Sequence, residues 1–377
     1  MSIAVKLRID CKASLFSVSL LLFGCAGAVA GNAQPGPPAE TTDQLTRAAI
    51  VINSLQGWYN QSTGLYETTG WWNSANAITA LVDYARVSQN TEYNSVLDTT
   101  FSAAPKQNPN FLNKFYDDEG WWALAWIDAY DLTGNQQYLA MAETIFADMA
   151  DGWDSTCEGG IWWSKDRGYK NAIANELFLS VAASLANRDK PNQSHYLDWA
   201  NKEWKWFSQS GMINGQGLIN DGLKISSGPP AGVCVNNGKT TWSYNQGVVL
   251  GGLTELSKLN HDPSLLPTAR KIATAATSNL VDKDGVMHDV CEPHCGADGV
   301  QFKGIFVRNL RSLIAADPQK AYRTFVITNA NAVWEHSQGP NHQLGQVWSG
   351  PFDAGNAGRQ SSALDAIVAA AALATTK

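Results

Sequence analysis

FYDDEGWWALAWIDAYDLTGNQQYLAMAETIFADMA, residues 115–150, reads as two helices folded back on one another. Apolar residues recur at helical spacing on both sides of Thr133-Gly134-Asn135. Gly and Asn at such a point stop one helix and start the next. The first half opens on adjacent carboxylates, Asp117 and Asp118, followed at once by Trp121 and Trp122. Asp pairs commonly cap helices, because carboxylates satisfy free N–H groups at the positive helix end. The surrounding aromatic residues turn this pair toward a site.

The same pattern repeats along the chain. Helical periodicity predicts elements over 43–59, 73–88, 91–103, 119–132, 136–149, 170–187, 194–209, 241–259, 263–280, 302–315, 319–336 and 360–374. Short turns at 133–135, 188–192, 260–262 and 316–318 alternate with long Gly- and aromatic-rich connections at 64–72, 151–169, 211–240, 285–301 and 339–358. Helical hairpins packed side by side put all short turns at one end and all long loops at the other. Six such hairpins closing in a ring give an all-α fold, an (α/α)6 barrel of about twelve helices. Its inner helices should be poor in charge and its outer helices amphipathic. Gly70-Trp71-Trp72-Asn73, Gly120-Trp121-Trp122-Ala123 and Gly160-Ile161-Trp162-Trp163 recur at the expected inner-helix entrances, with a period of about fifty residues. An open solenoid fits less well, because the Trp-rich loops gather at one end.

Composition narrows the function classes. The 377 residues are 44% hydrophobic, enough for a sizeable core, and only 16% charged, with 15 Trp and a net charge of −7. No Lys/Arg stripe interleaves with aromatics, so nucleic acid is not expected as a partner.

Lys6, Arg8 and Lys12 precede the apolar run 13–28, and Ala28-Val29-Ala30 suits cleavage; residues 1–30 read as a signal peptide. Leu22-Phe23-Gly24-Cys25 resembles a lipoprotein box only faintly. Residues 31–40 read as a flexible leader, and 41–377 as a single catalytic domain. The chain ends without a long hydrophobic tail, so no stable membrane anchor is expected, and the protein should be secreted and extracellular. Cys157, Cys234, Cys291 and Cys295 remain after cleavage, an even number in an exported chain. Cys291 and Cys295 close a tight loop, which leaves Cys157 for Cys234. A zinc site with His288 and His294 matches no common ligand spacing, so no metal is expected. Asn60 and Asn192 head glycosylation sequons.

Glycoside cleavage needs two carboxyl groups, about 5–5.5 Å apart when anomeric configuration is retained and about 6.5–9.5 Å when it is inverted. Adjacent residues at a helix start suit the shorter separation, so Asp117 and Asp118 can serve as nucleophile and general acid/base. Like charge and burial should keep one of them protonated. Trp71, Trp72, Trp121, Trp122, Trp162 and Trp163 lie at loop–helix junctions, where packing and sugar-platform roles compete. Trp199, Trp204 and Trp206 read as packing residues. Asn73, Asp221, Tyr244, Asn245 and Lys303 fall at the same end and offer donors and acceptors for sugar hydroxyls. The expected substrate-binding set is therefore Trp72, Asn73, Trp121, Trp122, Asp221, Tyr244, Asn245 and Lys303.

Four segments carry a resemblance: FYDDEGWWALAW (115–126), GGIWWSKDRGYKNAIANELFL (159–179), TTWSYNQGVVLGGL (240–253) and QFKGIFVRNL (301–310). With them the chain resembles glycoside hydrolase family 76, the α-1,6-mannanases, in its fungal branch, from about residue 43 onward. The resemblance implies an (α/α)6 barrel and retaining, endo-acting hydrolysis of α-1,6-mannan or mannooligosaccharides without a cofactor. It assigns Asp117 as nucleophile and Asp118 as acid/base. Family members anchored by glycolipid act in wall assembly, so the resemblance implies association with a cell wall as one expectation; the missing tail points instead to a freely secreted enzyme, expected as a monomer. Mannan transglycosylation and non-catalytic glycan binding on the same scaffold stand as alternatives.

Overall fold

The computed structural model describes residues 39–226, 232–260 and 262–375. The expected signal peptide lies outside them, as does the leader up to residue 38; residues 39 and 40 already belong to the first helix.

Among the described residues, twelve α-helices alternate between two concentric rings. In chain order they are α1 (Ala39–Gln56), α2 (Trp71–Ser88), α3 (Ser95–Ala103), α4 (Tyr116–Thr133), α5 (Gln136–Ala150), α6 (Ala172–Arg188), α7 (Gln193–Gln209), α8 (Ser243–Ser257), α9 (Leu265–Asn279), α10 (Phe302–Ala316), α11 (Lys320–His336) and α12 (Ala357–Thr375). The even-numbered helices pack in a closed circle: α2 on α4, α4 on α6, α6 on α8, α8 on α10, α10 on α12, and α12 back on α2. This is the (α/α)6 barrel. Only five of its hairpins are consecutive in the chain. The sixth pair is α12 with α1, so the first and last helices close the ring through space.

Local chemistry explains the two rings. Every residue of α6 from Ala172 to Ala186 is buried, as a helix enclosed on all sides requires. On outer α7 burial is confined to Tyr196, Ala200, Glu203, Trp206 and Phe207, one stripe at helical spacing. The α4–α5 turn forms where expected: Gly134 is left-handed at φ 71°, and the Asn135 side chain accepts the Gln137 N–H at 3.0 Å. Neighbouring inner helices approach closely where side chains vanish. A Cβ on Gly247 of α8 would sit 2.6 Å from Phe306 Cα of α10. Two small hairpins decorate the long-loop end, β1 (Tyr59–Asn60) with β2 (Leu65–Tyr66) and β3 (Leu223–Ile225) with β4 (Cys234–Asn236).

All six inner helices start at the long-loop end, so their positive ends surround one mouth of the lumen. Most of their charge gathers toward the opposite ends. There Arg311 binds Asp83 at 2.7 Å, Arg188 binds Asp131 at 2.5 Å and Glu255 at 3.1 Å, and Arg308 binds Asp365 at 3.2 Å. Burial alone would raise the Asp83 carboxyl, but the Arg311 and Arg86 guanidiniums hold it below its ordinary value. Burial pushes Asp128 up to about 6 and Asp365 to about 7. All of these groups but Asp365 line a cavity of about 640 Å³ at the short-turn end. Its cations are already paired with acids, so it reads as an ionic belt around the lumen.

Candidate active site

The other end of the lumen holds a pocket of about 460 Å³. Trp121 lines both cavities and forms the partition between them. Below it, Arg308 approaches the indole ring at 5.9 Å. Above it, four rings from four inner helices lie nearly parallel. Trp72 stacks on Trp121 at 5.6 Å and Tyr244 on Phe302 at 3.8 Å. Trp121 faces Tyr244 at 6.4 Å, and Trp72 faces Phe302 at 6.4 Å. Offset-stacked aromatics of this kind give a rigid apolar floor.

Asp117 and Asp118 stand over that floor on the first turn of α4. Asp117 Oδ2 accepts the indole N–H of Trp163 at 2.9 Å, and Asp118 Oδ2 accepts the Asn113 amide at 2.6 Å. Burial pushes Asp117 well up, and the charge of Asp118 adds to the rise; the N–H bonds to Asp117 oppose it. Burial likewise raises Asp118 to about 6, with Asn113 opposing and Asp298 adding. With both carboxyls raised and the charge of Asp118 acting on Asp117, the two titrate together, and like charge favours holding one proton between them. Deeper burial favours that proton on Asp117, whereas the Trp163 and backbone N–H groups aimed at Asp117 favour its anion. The structure thus sets two opposing preferences on one residue.

Two more carboxylates complete the wall. Asp221 Oδ2 accepts the Tyr169 hydroxyl at 2.5 Å, and Asn237 donates to the same hydroxyl at 2.8 Å. Gly222 lets the loop lie this close, since a Cβ there would meet the Tyr169 hydroxyl at 2.4 Å. Asp298 Oδ1 accepts the Trp72 indole N–H at 3.0 Å. Asp298 follows a loop closed by Cys291–Cys295, with Cα atoms 4.8 Å apart. Cys157–Cys234, at 5.3 Å, ties the loop before α6 to β4. Both disulfides pair as expected.

Of the expected substrate-binding residues, Trp72, Trp121, Asp221 and Tyr244 line the pocket with Asp117 and Asp118. The other four do not. Asn73 is buried at the start of α2, where its Oδ1 accepts the Gly70 N–H at 3.1 Å and its amide donates to Gln301 at 2.7 Å. Trp122 packs on Trp71, Phe111 and Trp126. Asn245 is fully buried in α8. Lys303 is buried too, with its ammonium 2.6 Å from both Glu292 and the Gln346 carbonyl. In each Trp pair one ring meets the pocket and the other packs: Trp72, Trp121 and Trp163 face the pocket, while Trp71, Trp122 and Trp162 do not. Adjacent residues point in different directions, so one dipeptide serves both needs. Phe115, Tyr169, Asn171, Asp298 and Phe302 also line the pocket. Sequence reading did not assign them to the site, although Phe115, Tyr169, Asn171 and Phe302 all fall within the segments quoted above.

Solved structures share this architecture. An inactive variant of an α-1,6-mannanase from a Salegentibacter species, in complex with α-1,6-mannotetrose, superposes with a TM-score of 0.79 at 23% identity, covering 87% of this chain and 99% of that one. Dfg5 from Chaetomium thermophilum, in complex with glucosamine, does so with a TM-score of 0.77 at 23% identity, covering 88% and 91%. Among curated sequences, the mannan endo-1,6-alpha-mannosidase DFG5 of Candida albicans is 27% identical over 87% of this chain and 79% of its own length. The sequence matches the glycosyl hydrolase family 76 profile over residues 44–377, and the chain belongs to that family of glycoside hydrolases.

Proposed function

We propose that this protein is an endo-α-1,6-mannanase that cleaves by double displacement with retention. The carrying observation is the carboxyl pair, side by side on the first turn of α4 above a stacked aromatic floor in an open pocket. In this reading the Asp117 carboxylate attacks the anomeric carbon while Asp118 gives its proton to the departing glycosidic oxygen. The C–O bond breaks and a mannosyl ester forms on Asp117. Asp118 then removes a proton from water, whose oxygen attacks the same carbon and frees Asp117. The Trp163 and backbone N–H groups directed at Asp117 support its nucleophilic role, because they favour its anion. NMR of the first product anomer from an α-1,6-mannooligosaccharide tests the proposal. Initial α-mannose is expected; initial β-mannose means inversion, and no cleavage favours the binding-protein or transglycosylase reading.

A sugar hydroxyl can replace water in the second step, which would make the protein a mannan transglycosylase. The pocket supports this reading too: its lining has four carboxylates and no Lys or Arg, which suits a cationic acceptor sugar. Longer products on adding an acceptor would establish it. We also infer export through residues 1–30, supported by two disulfides, and glycans on Asn60 and Asn192. No helix among the described residues is long and apolar enough to cross a membrane.

A further inference from the structure

Glu119, the third acid of the run, does not reach the pocket. It is fully buried, and its Oε1 accepts two hydrogen bonds: the Asn113 backbone N–H at 3.1 Å and the Lys165 ammonium at 2.8 Å. The same ammonium lies 2.8 Å from Asp148 Oδ2 on α5. The two segments joined at that oxygen are the ones that carry the partners of the carboxyl pair. Asn113 binds Asp118 through its side chain and supplies its backbone N–H to Glu119. Trp163, two residues before Lys165, binds Asp117. The segments also bridge each other: Lys165 N–H donates to the Lys114 carbonyl at 3.0 Å and Tyr116 N–H to the Trp163 carbonyl at 3.0 Å. Helical geometry explains the division of labour. Asp117, Asp118 and Glu119 leave α4 about 100° apart, so the third faces outward when the first faces the lumen.

We propose that Glu119 is a positioning residue, which fixes through one oxygen the two loops whose donors hold Asp117 and Asp118. The proposal rests on the reading of Asp117 and Asp118 as the catalytic pair. A buried acid is a costly way to fill space, and an aliphatic side chain would fill it more cheaply. It would also strand the Asn113 N–H and leave the Lys165 ammonium to Asp148 alone.

The expected consequence is specific. Both donors lower the carboxyl they bind, so releasing the loops raises both limbs of the pH–rate profile. The charged and titratable groups around Glu119 are Asp148, Lys165, Tyr116 and Arg167; those around the pair are Asp221, Asp298, Tyr244 and Glu176. None of these changes in a Glu119 variant.

The test compares Glu119→Ala, Glu119→Gln and Lys165→Met with the parent. Glu119→Ala is expected to lower kcat by roughly ten- to a hundred-fold, with KM changed less than about threefold, and to move both limbs up. Glu119→Gln keeps an acceptor at Oε1 and should restore the parent limbs. Lys165→Met, which frees the Trp163 side alone, should move the acidic limb more than the basic one. It also serves if Glu119→Ala does not fold. A readout independent of turnover is the Trp163 indole N–H resonance in 15N-tryptophan protein, assigned by its loss in Trp163→Phe. It should move upfield in Glu119→Ala and Lys165→Met, and that result holds even if mannan is not the substrate. Folded Glu119→Ala or Lys165→Met with a lower melting temperature but parental limbs and resonance would overturn the proposal.

Discussion

Trp163 donates its indole N–H to Asp117 Oδ2 at 2.9 Å, from a ring that is itself 37% exposed at the pocket mouth. One side chain thus stabilises the anion of a carboxyl and presents a ring face to whatever enters. Hydrogen bonds to charged groups contribute about 1.5–3 kcal/mol. Trp163→Phe keeps an aromatic ring and loses the donor. It should lower kcat by roughly ten- to a hundred-fold, at ~1.4 kcal/mol per decade, and raise the acidic limb of the profile. An unchanged limb in steady-state kinetics would detach Trp163 from Asp117.

Asp117→Asn and Asp118→Asn should each lower kcat roughly a thousandfold or more, as loss of a nucleophile or a general acid does. Neither should lower the melting temperature at neutral pH, since each removes a carboxyl that burial already disfavours as an anion. Turnover assays beside calorimetry decide the matter. A variant with near-parental kcat loses its assigned role, and one without a thermal transition is structural.

Asp221 faces the pocket, and its partner is the Tyr169 hydroxyl across the loop rather than its own turn. Two hydrogen bonds from adjacent sugar hydroxyls to this carboxylate would be charge-assisted. Asp221→Ala is expected to lower kcat/KM by about ten- to a hundred-fold, mostly through KM. Parental kinetics with a lower melting temperature would show that Asp221 only braces Tyr169.

Stability should fall as pH rises from about 4 to about 8. Burial raises Asp118 and Asp128 to about 6, Asp365 to about 7 and Glu119 to about 8. In the unfolded chain such groups titrate at about 4. Between those values the folded state binds more protons, so each group's contribution is complete below about pH 4 and lost as pH rises through its folded value. Asp154, held down to about 2 by its bonds to Lys170 and Trp162 against burial, acts only below that window. The melting temperature should therefore be higher at pH 5 than at pH 8, and Asp365→Asn should flatten the profile between about pH 4 and 7. Scanning calorimetry across pH checks both.

Helix positions, the (α/α)6 ring, both disulfide pairings and the carboxyl pair at the head of α4 were legible in the residue order. All but one depend on neighbours in sequence: a 3.6-residue period, Gly or Asn at a turn, two cysteines four apart; Cys157–Cys234, with a sequence separation of 77, followed only by elimination. The pairing of α12 with α1 was not, because no turn joins them and only closure of the ring brings them together. Asp298 and Tyr169 were likewise hidden. Their loops have no period, and each finds its partner, Trp72 or Asp221, across the mouth of the barrel. Lys303 and Asn73 show the converse. They open inner helices, as site residues do, yet their side chains turn into the protein to satisfy buried carbonyl, carboxylate and amide groups. Local sequence decides whether a residue sits at the pocket end of a helix. Which way its side chain faces depends on helix phase and on polar groups far away in the chain, and only the tertiary structure brings those together.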